Sequence, residues 1–362
     1  MTSPRLEIRL DRIHHNASTL VERLAARGVA VTGVTKATLG SPEIAGELLR
    51  ANVASIGESR IENIETMRDA SVAGPFTLLR SPMPSQADRV VRYADVSLNT
   101  ELDVIDRLSA AARARGRSHE VILMVELGDL REGIMPGDLE AHVRRTLRFP
   151  NIVLRGIGAN LACQSGVSPD ERNMGELSSL VASIEATFGC AIDIVSGGNS
   201  ANLDWVLGCS DVGRINDLRL GESILLGREP LRRRHIDGLH TDAFTLVAEV
   251  IESKTKPTQP WGEINQTAFG PGTPSPDRGS TARVILGIGR QDVDPDGLGA
   301  PAGREILGAS SDHLVVDAGS RPPPVGSEVA FSLDYSALVR AMTSPFVSRV
   351  FTAVGDRDEV PS

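Results

Sequence analysis

The sequence predicts an α/β fold in which a (β/α)8 barrel of the TIM type is followed by a mostly antiparallel β domain. From about residue 30, eight short apolar or β-branched segments alternate with segments of helical periodicity over about 200 residues, which is the period of such a barrel. After about Arg234 the helical segments stop, and short β-branched runs alternate with turns rich in Pro, Gly and Asp. An open doubly wound sheet is the alternative, although no Gly-x-Gly-x-x-Gly follows the first strand.

The predicted elements follow in order from the N-terminus. Residues 6–10 alternate as a strand does, and Asp11 can cap a helix that extends to about Arg27. The barrel strands are predicted to end near Lys36, Gly57, Ser81, Asn99, Leu127, Asn160, Gly197 and Ile215. Helices between them are predicted at residues 42–51, 60–70, 101–115, 136–148 and 169–188. Strands of the β domain are predicted at residues 243–252, 263–269, 282–289, 314–318 and 328–333.

The change of pattern divides the chain into two domains. Residues 11–234 are predicted to form the barrel, and residues 235–362 the C-terminal β domain. The strand at residues 5–10 lies outside the repeat, so it is a candidate member of the β domain.

Composition excludes several classes of protein. With 362 residues, of which 41% are hydrophobic, the chain can bury the core of a barrel and of a smaller domain. A formal charge of -9 argues against nucleic acid or an anionic membrane as a partner. The three cysteines, Cys163, Cys190 and Cys209, form no CxxC pair, which indicates a reducing compartment. No signal peptide and no apolar run of membrane-spanning length are visible, so we expect a soluble, cytoplasmic protein.

An apolar run at residues 31–35 ends in a single lysine, Lys36. Such a run is typical of a buried parallel strand, and barrels place their chemistry at the C-terminal ends of these strands. The lysine either snorkels at a strand end or serves as a Schiff-base nucleophile, because an amine held among apolar walls loses proton affinity.

Two further strand ends offer groups for a phosphate. Residues 196–200, Ser-Gly-Gly-Asn-Ser, open a predicted helix and can point hydroxyls and backbone N–H groups at an anion, although the same residues are also ordinary turn formers. Gly221 and Ser223 can supply a second loop to the same phosphate, because the last two strand-end loops of a barrel commonly share one. A lysine and a phosphate site on one rim suggest pyridoxal phosphate as the cofactor.

Four segments together carry a resemblance to a known family. They are Val-Thr-Lys-Ala at 34–37, Leu-Arg-Glu-Gly-Ile at 130–134, Gly-Gly-Asn-Ser at 197–200 and Arg-Leu-Gly-Glu-Ser-Ile-Leu-Leu-Gly at 219–227. In order and spacing they resemble the alanine racemase family of pyridoxal-phosphate enzymes of fold type III, most closely its alanine/ornithine racemase branch. The resemblance covers nearly the whole chain, because residues 7–11, 311–317, 334–336 and 349–351 resemble the family's opening strand, a segment of its β domain, and its closing helix and strand.

This resemblance implies a role for several residues. Lys36 would carry the cofactor and act as a base on one face of the substrate Cα. Arg219 would face the pyridine nitrogen and keep it unprotonated, because a guanidinium retains its own proton. Arg131 would approach the phenolic oxygen of the cofactor, with a surface ion pair to Asp129 or Glu132 as the alternative. The remaining cofactor ligands implied are Asn160, Asn199, Ser200, Gly221, Ser223 and Tyr335. For Tyr335 the alternative is a half-buried core aromatic.

The sequence departs from the family pattern at three places. Asn160 stands where the family usually has a histidine stacked near the ring, and residues 38–40 lack a tyrosine that the family uses for the phosphate. Arg290 aligns with the tyrosine that serves as the second base, and an arginine is a poor proton acceptor, although its planar fork suits a substrate carboxylate. The other candidate bases are His313, Asp312, Cys163 and Tyr335, of which a histidine has the most suitable ordinary pKa.

The sequence therefore predicts a pyridoxal-phosphate-dependent racemase that interconverts L and D amino acids by removing and returning the Cα proton. The branch implies ornithine or another basic amino acid, whose distal ammonium Asp292 or Asp312 could meet. The resemblance also implies a homodimer in which the partner's β domain completes each active site. A decarboxylase or aldolase-type lyase of fold type III, which Arg290 favours, and a non-catalytic pyridoxal-phosphate-binding protein are the alternatives. No metal-ligand pattern such as His-x-Cys is present.

Overall fold

The structure, a computed structural model, describes residues 3–271 and 277–352. Its residues form two compact units. The barrel unit consists of residues 11–241, and the β unit combines the described residues up to Leu10 with those from Asp242 onward.

A closed barrel of eight parallel strands confirms the predicted fold class. The chain enters it through strand β1 (Arg5–Arg9) and helix α1 (Leu10–Ala25). The barrel strands are, in order, β2 (Ala30–Val34), β3 (Ser55–Glu58), β4 (Phe76–Leu78), β5 (Val96–Asn99), β6 (His119–Val125), β7 (Ile152–Ala159), β8 (Ile194–Asn199) and β9 (Asp217–Leu220). Strand β2 pairs with β9 as well as with β3, which closes the ring.

Helices follow the barrel strands, as the periodicity predicts. They are α2 (Pro42–Arg50), α3 (Ile61–Asp69), α4 (Ala87–Tyr93), α5 (Leu102–Ala114), α6 (Leu139–Thr146), α7 (Glu171–Phe188), α8 (Leu203–Gly208) and α9 (Glu222–Leu226). Local chemistry explains their starts: α2 has Ser41 as its N-cap with a proline at its first position, and α7 begins with a capping box between Asp170 and Asn173. Among the described residues, no helix is both long and apolar enough to cross a membrane.

The last barrel strand lies further along the chain than the sequence indicates. We expect it to end near Ile215, but the structure places it at Asp217–Leu220, so Arg219 lies within the strand and not in the loop that follows. Asp217 and Arg219 break the apolar pattern of this strand, yet both side chains are buried. A short strand with two inward charged residues cannot be recognised by its hydrophobicity.

The barrel unit also extends further than residue 234. The amide of Asn16 on α1 explains this, because its Nδ2 donates to the carbonyl oxygen of His240 (2.8 Å) and its Oδ1 accepts from the backbone N of His240 (2.7 Å). Buried Glu229 holds the preceding loop by accepting the backbone N–H groups of Leu231, Arg232 and Arg234. These bonds tie residues 229–240 to the barrel unit.

The β unit is built on a mostly antiparallel sheet, as predicted. Its elements after β1 are β10 (Phe244–Pro257), β11 (Gln266–Thr267), β12 (Gly270–Pro271), β13 (Ser280–Leu286), β14 (Leu298–Gly299), β15 (Glu305–Ala309), β16 (Leu314–Asp317), β17 (Glu328–Leu333), α10 (Tyr335–Thr343) and β18 (Ser348–Thr352). Strand β1 pairs antiparallel with β10 and parallel with β18. The predicted strand at residues 263–269 is wrong beyond the two residues of β11. Its large side chains, Ile264 and Phe269, are exposed, so this segment has no buried apolar face of the kind that the predicted strand requires.

A histidine is buried at the first position of β6. His119 Nε2 lies 2.8 Å from the hydroxyl oxygen of Ser97 on β5, and its Nδ1 has no hydrogen-bond partner in the described part of the chain. Burial lowers the pKa of His119 from 6.5 to about 4, with a smaller contribution from Arg117. The native barrel therefore holds this ring in its neutral form.

The barrel should lose stability in acid because of His119. His119 takes up a proton near pH 6.5 in the unfolded chain, but only near pH 4 in the native chain. Protonation therefore does not reduce the free energy of unfolding above pH 6.5, and it reduces this free energy progressively as the pH falls from 6.5 towards 4. We expect a loss of up to about 3 kcal/mol in the free energy of unfolding over this range. Urea unfolding at several pH values measures it. His119→Gln should show a weaker dependence on pH, whereas His142→Gln, at a half-buried position on α6, should behave as the wild type. Equal pH dependence in H119Q and wild type would refute the assignment.

Candidate active site

The C-terminal ends of the barrel strands carry eight of the predicted site residues. Parallel strands of a closed barrel end at one rim, so residues far apart in sequence meet there. They are Lys36 after β2, Arg131 after β6, Asn160 after β7, Asn199 and Ser200 at the end of β8, Arg219 in β9, and Gly221 and Ser223 at the start of α9. The other predicted residues, Arg290, Asp292, Asp312, His313 and Tyr335, belong to the β unit.

Hydroxyl and backbone N–H groups from the last two strand-end loops converge on one point. The hydroxyl oxygen of Ser200 accepts the backbone N–H groups of Gly221 (3.4 Å) and Ser223 (3.2 Å), and it lies 3.0 Å from the hydroxyl of Ser223. Both serines are buried. Donors that already converge on one oxygen can also bind the oxygens of an anion, so this group fits a phosphate.

Gly198 gives this loop its shape. Its φ of +139° is a conformation that other residues rarely adopt, and a Cβ atom added to it would lie 2.1 Å from Oδ1 of Asn202. That oxygen accepts the backbone N–H of Asn199, while Nδ2 of Asn202 donates to the carbonyl oxygen of Gly197. Glycine at 198 is therefore required for the turn that presents Asn199 and Ser200.

Arg219 is a buried cation with unused donors. Its guanidinium donates from Nη1 to the hydroxyl of Ser196 (2.6 Å) and from Nη2 to the carbonyl oxygen of Ala159 (2.8 Å) and Oδ1 of Asn160 (3.3 Å). In the described residues, nothing accepts from Nε or from the second hydrogen of Nη1. Burial lowers the pKa of Arg219, an effect that the charge of Asp217 opposes. The remaining donors suit an acceptor such as a pyridine nitrogen.

Lys36 lies in a short 3-10 turn directly after β2 and is exposed. The sequence suggests that apolar side chains enclose this amine, but within the barrel unit the lysine side chain is exposed. Its Nζ has no hydrogen-bond or ion-pair partner within residues 3–271 and 277–352, so the amine is free to react. The preceding Thr35 fixes the turn by donating its hydroxyl to Glu58 (3.0 Å), whose pKa is raised by burial.

Lysine is rare in this chain. Only Lys36, Lys254 and Lys256 occur, and the last two pair with Glu252 on β10. Lys36 is thus the one lysine of the barrel unit, a count that the sequence gives directly.

Arg131 forms the ion pair with Glu132 that the sequence offers as its alternative role, and this hydrogen bond raises its pKa. Asp129 is not part of that pair. Its buried carboxylate accepts the backbone N–H groups of Cys163 (3.1 Å), Gln164 (3.0 Å) and Ser165 (2.9 Å). The loop after β6 and the loop after β7 are therefore joined through Asp129.

Asn160 and Asn199 meet between these loops. Nδ2 of Asn199 donates to Oδ1 of Asn160 (3.1 Å) and to the carbonyl oxygen of Leu161 (2.8 Å), and it lies 3.4 Å from the sulfur of Cys163. Nδ2 of Asn160 is enclosed and has no acceptor among the residues described. A buried donor without a partner is costly, and a bound cofactor with acceptor atoms would satisfy it.

In the β unit, the predicted residues around Arg290 and His313 lie on adjacent turns. The backbone N–H of Arg290 donates to the carbonyl oxygen of Ser310 (2.9 Å), three residues before His313. Nδ1 of His313 lies 2.8 Å from Oδ1 of Asp312, and this hydrogen bond lowers the pKa of Asp312. Because the carboxylate only accepts, Nδ1 of His313 carries the hydrogen and Nε2 can accept a proton.

A cavity of about 740 Å³ opens beside Arg290 within the β unit. The guanidinium of Arg290 lies 5.3 Å from the centre of the Phe269 ring, and half-buried Tyr335 lines the same cavity. Asp292 is buried, and its carboxylate accepts the hydroxyl of Ser344 (2.8 Å) and the backbone N–H of Gly289. These bonds argue against Asp292 as a substrate ligand.

Together the groups at the barrel rim would suit a phosphorylated carbonyl compound that carries a ring nitrogen. The amine of Lys36 could attach the carbonyl, the cluster at Ser200 could hold the phosphate, and the unused donors of Arg219 could meet the nitrogen. Fold and site thus define a barrel-type pyridoxal-phosphate enzyme.

Comparison with known proteins agrees with this class. The family model for the alanine racemase N-terminal domain matches residues 8–228. A lysine racemase from Thermotoga maritima is 39% identical over 97% of this chain and 99% of its own length. An ornithine racemase from Acetoanaerobium sticklandii is 37% identical over 96% of this chain and 99% of its own length. The chain belongs to the alanine racemase family, as the resemblance implies.

Its reaction is accordingly the racemisation of an amino acid, and its cofactor is pyridoxal phosphate. Among solved structures, an alanine racemase from Streptomyces lavendulae covers 97% of this chain and 98% of its own chain with a TM-score of 0.76. At 22% identity that likeness shows a shared fold.

Replacing Gly198 should damage the turn at the end of β8. In Gly198→Ala, the positive φ and the overlap with Asn202 should lower the free energy of unfolding by about 1–3 kcal/mol or more and weaken the retention of pyridoxal phosphate. Thermal unfolding and cofactor titration measure the two effects. Gly208→Ala is the control, because nothing lies within 4 Å of its added Cβ; equal behaviour of both variants would contradict this account.

Proposed function

We propose that the chain interconverts the L and D forms of a basic amino acid, with ornithine or lysine as its substrate. One observation carries this proposal: the lysine and ornithine racemases are 37–39% identical to the chain over almost their whole length. The match covers 96–97% of the chain, so the similarity extends through both the barrel unit and the β unit.

In this proposal the barrel rim holds pyridoxal phosphate. The phosphate is bound by Ser200, Gly221 and Ser223, with Tyr335 as a further ligand from the β unit. Lys36 attaches the carbonyl carbon, and Arg219 donates an unused N–H to the ring nitrogen. Arg131, Asn160 and Asn199 complete the set near the ring. Once bound, pyridoxal phosphate withdraws electrons from the substrate Cα and makes its proton removable.

Two bases are needed because a racemase removes a proton on one face of Cα and returns it on the other. Nζ of Lys36 takes or gives the proton on one face. We assign the second role to Nε2 of His313, since Asp312 fixes the tautomer that leaves this nitrogen free. Arg290, on the adjacent turn, then binds the substrate carboxylate through its planar donors. The exposed carboxylate of Asp312 also stays a candidate for the distal ammonium.

We also propose a homodimer in which the β unit of one protomer completes the barrel site of the other. The barrel rim supplies Lys36 as a base, while His313 and Arg290 belong to the β unit, so the complete set requires both units. A cytoplasmic location fits the three free cysteines.

The lysine content allows a direct test of cofactor attachment and substrate. The protein loaded with pyridoxal phosphate is reduced with borohydride, and the labelled peptide is identified by mass spectrometry. We expect the label on Lys36, its loss in Lys36→Ala, and its retention in the control Lys254→Ala. Chiral chromatography should then show D-ornithine or D-lysine formed from the L amino acid faster than D-alanine from L-alanine. A label elsewhere would refute the site, and faster turnover of alanine would refute the substrate.

The role of His313 can be separated from that of Lys36 by exchange of the Cα hydrogen in deuterium oxide. If His313 is the second base, His313→Asn should slow exchange from one enantiomer by about 10²–10⁴-fold and leave exchange from the other near its wild-type rate. NMR or mass spectrometry measures the exchange. His142→Asn, a half-buried histidine of α6 in the barrel unit, is the control. Equal effects on both enantiomers would exclude His313 as a base for one face.

A further inference from the structure

Asp217 is a buried carboxyl group that the proposed mechanism does not use. It lies at the first position of β9, with its side chain inside the barrel. Oδ1 accepts the hydroxyl of Thr32 (2.8 Å) on β2, and Oδ2 accepts the hydroxyl of Ser196 on β8 in a short hydrogen bond. These two strands pair with β9 on either side, so Asp217 joins three neighbouring strands just below the rim.

The bonds around Ser196 have a fixed direction. Two hydroxyl donors and the neighbouring charge of Arg219 favour the ionised form of Asp217. An ionised carboxylate only accepts, so the single hydroxyl hydrogen of Ser196 points to Asp217. The lone pairs of the same oxygen then accept from Nη1 of Arg219 (2.6 Å). Donation thus runs from Arg219 to Ser196 to Asp217, and it determines which guanidinium hydrogens are used and which remain free.

Charge reinforces this arrangement. Burial raises the pKa of Asp217 and lowers that of Arg219, and the charge of each group opposes the shift of the other. The loop after β6 adds Glu132 and Arg131 to the field at Arg219, and the loop after β7 adds Cys163. Asp217 differs from these groups because it is buried and hydrogen-bonded to the oxygen that holds the guanidinium.

We infer that Asp217 is a positioning residue: acting through Ser196, it orients the guanidinium of Arg219 and sets the strength of the hydrogen bond that Arg219 offers to the ring nitrogen of pyridoxal phosphate. This inference rests on the role of Arg219 in the proposed function. An amide at 217 could donate to Ser196 and turn its hydroxyl hydrogen towards Nη1, which would push the guanidinium out of place. The chain would then fold and bind the cofactor with its ring nitrogen poorly supported.

The test compares three variants of the protein loaded with pyridoxal phosphate: Asp217→Asn, Ser196→Ala and Arg219→Lys. The readouts are the position of the cofactor absorption band, its change with pH, the rate of Cα hydrogen exchange and the thermal unfolding temperature. We expect all three variants to shift the band or its pH midpoint, and Asp217→Asn to slow exchange by about 10–100-fold, as residues that orient a catalytic group do. Ser97→Ala is the control for stability. It removes a buried hydroxyl of β5 that pairs with His119 and takes no part in the bonds of Asp217, Ser196 and Arg219, so the spectrum should stay unchanged.

The outcomes separate the inference from the proposed function. If Arg219→Lys shifts the spectrum and Asp217→Asn does not, Asp217 is only a structural residue. This holds even if Asp217→Asn lowers the unfolding temperature. An unchanged spectrum in Arg219→Lys would remove the role of Arg219 and the inference with it. If Asp217→Asn does not fold, Ser196→Ala decides, because it breaks the same chain of bonds without changing a charge. Faster turnover of an amino acid other than ornithine or lysine would overturn the proposed substrate and leave the spectral test intact.

Discussion

Closure of the barrel by the pairing of its first and last strands is the constraint on which the site depends. The register places Thr32 of β2 opposite Arg219 of β9, about 190 residues away in sequence. Lys36 therefore leaves the barrel next to the loop that begins at Gly221. A Cβ at Gly221 would lie 3.2 Å from Cβ of Val34, so the two strand ends are in close contact. The residues proposed to attach the carbonyl and to bind the phosphate are thus brought to neighbouring positions by a single parallel ladder.

Hydrogen bonds compensate for the burial of four carboxyl groups in the barrel unit. Glu58, Asp129, Asp217 and Glu229 are all buried, and each accepts at least two donors from backbone or side chains. Isolated charges in a protein interior would cost several kcal/mol, whereas charges that are fully hydrogen-bonded rigidify the loops around them. The loops at the rim are consequently held in place by buried groups that have no assigned role in the proposed reaction.

The fold can be predicted from the sequence because its elements have local signals, and the residues proposed to hold the cofactor have local signals too. Eight alternating segments predict the barrel, a lone lysine ends a β-branched run, and Ser-Gly-Gly-Asn-Ser has the chemistry of an anion-binding turn. Asp217 and Ser196 have no such signal, since a single polar residue in a short strand only weakens the hydrophobic pattern. That weakening also explains why the last strand is expected too early. Asp129 is read as a partner of its neighbour Arg131, whereas its partners lie 34–36 residues ahead, a distance that no local pattern covers. The burial of Asp292 also cannot be predicted from a local pattern, because its hydrogen-bond partner Ser344 lies 52 residues away in sequence.

The link through Asp129 also constrains how this rim can change. Loops of a barrel are often regarded as independent parts that can be lengthened, shortened or exchanged one at a time. Here three backbone amides of one loop depend on a single carboxylate of another, so a change of length in either would leave buried donors or a buried charge without partners. The two loops therefore form one structural unit and have to change together. Transfer of substrate preference from a related racemase by loop grafting would require residues 126–135 and 160–168 to be exchanged together.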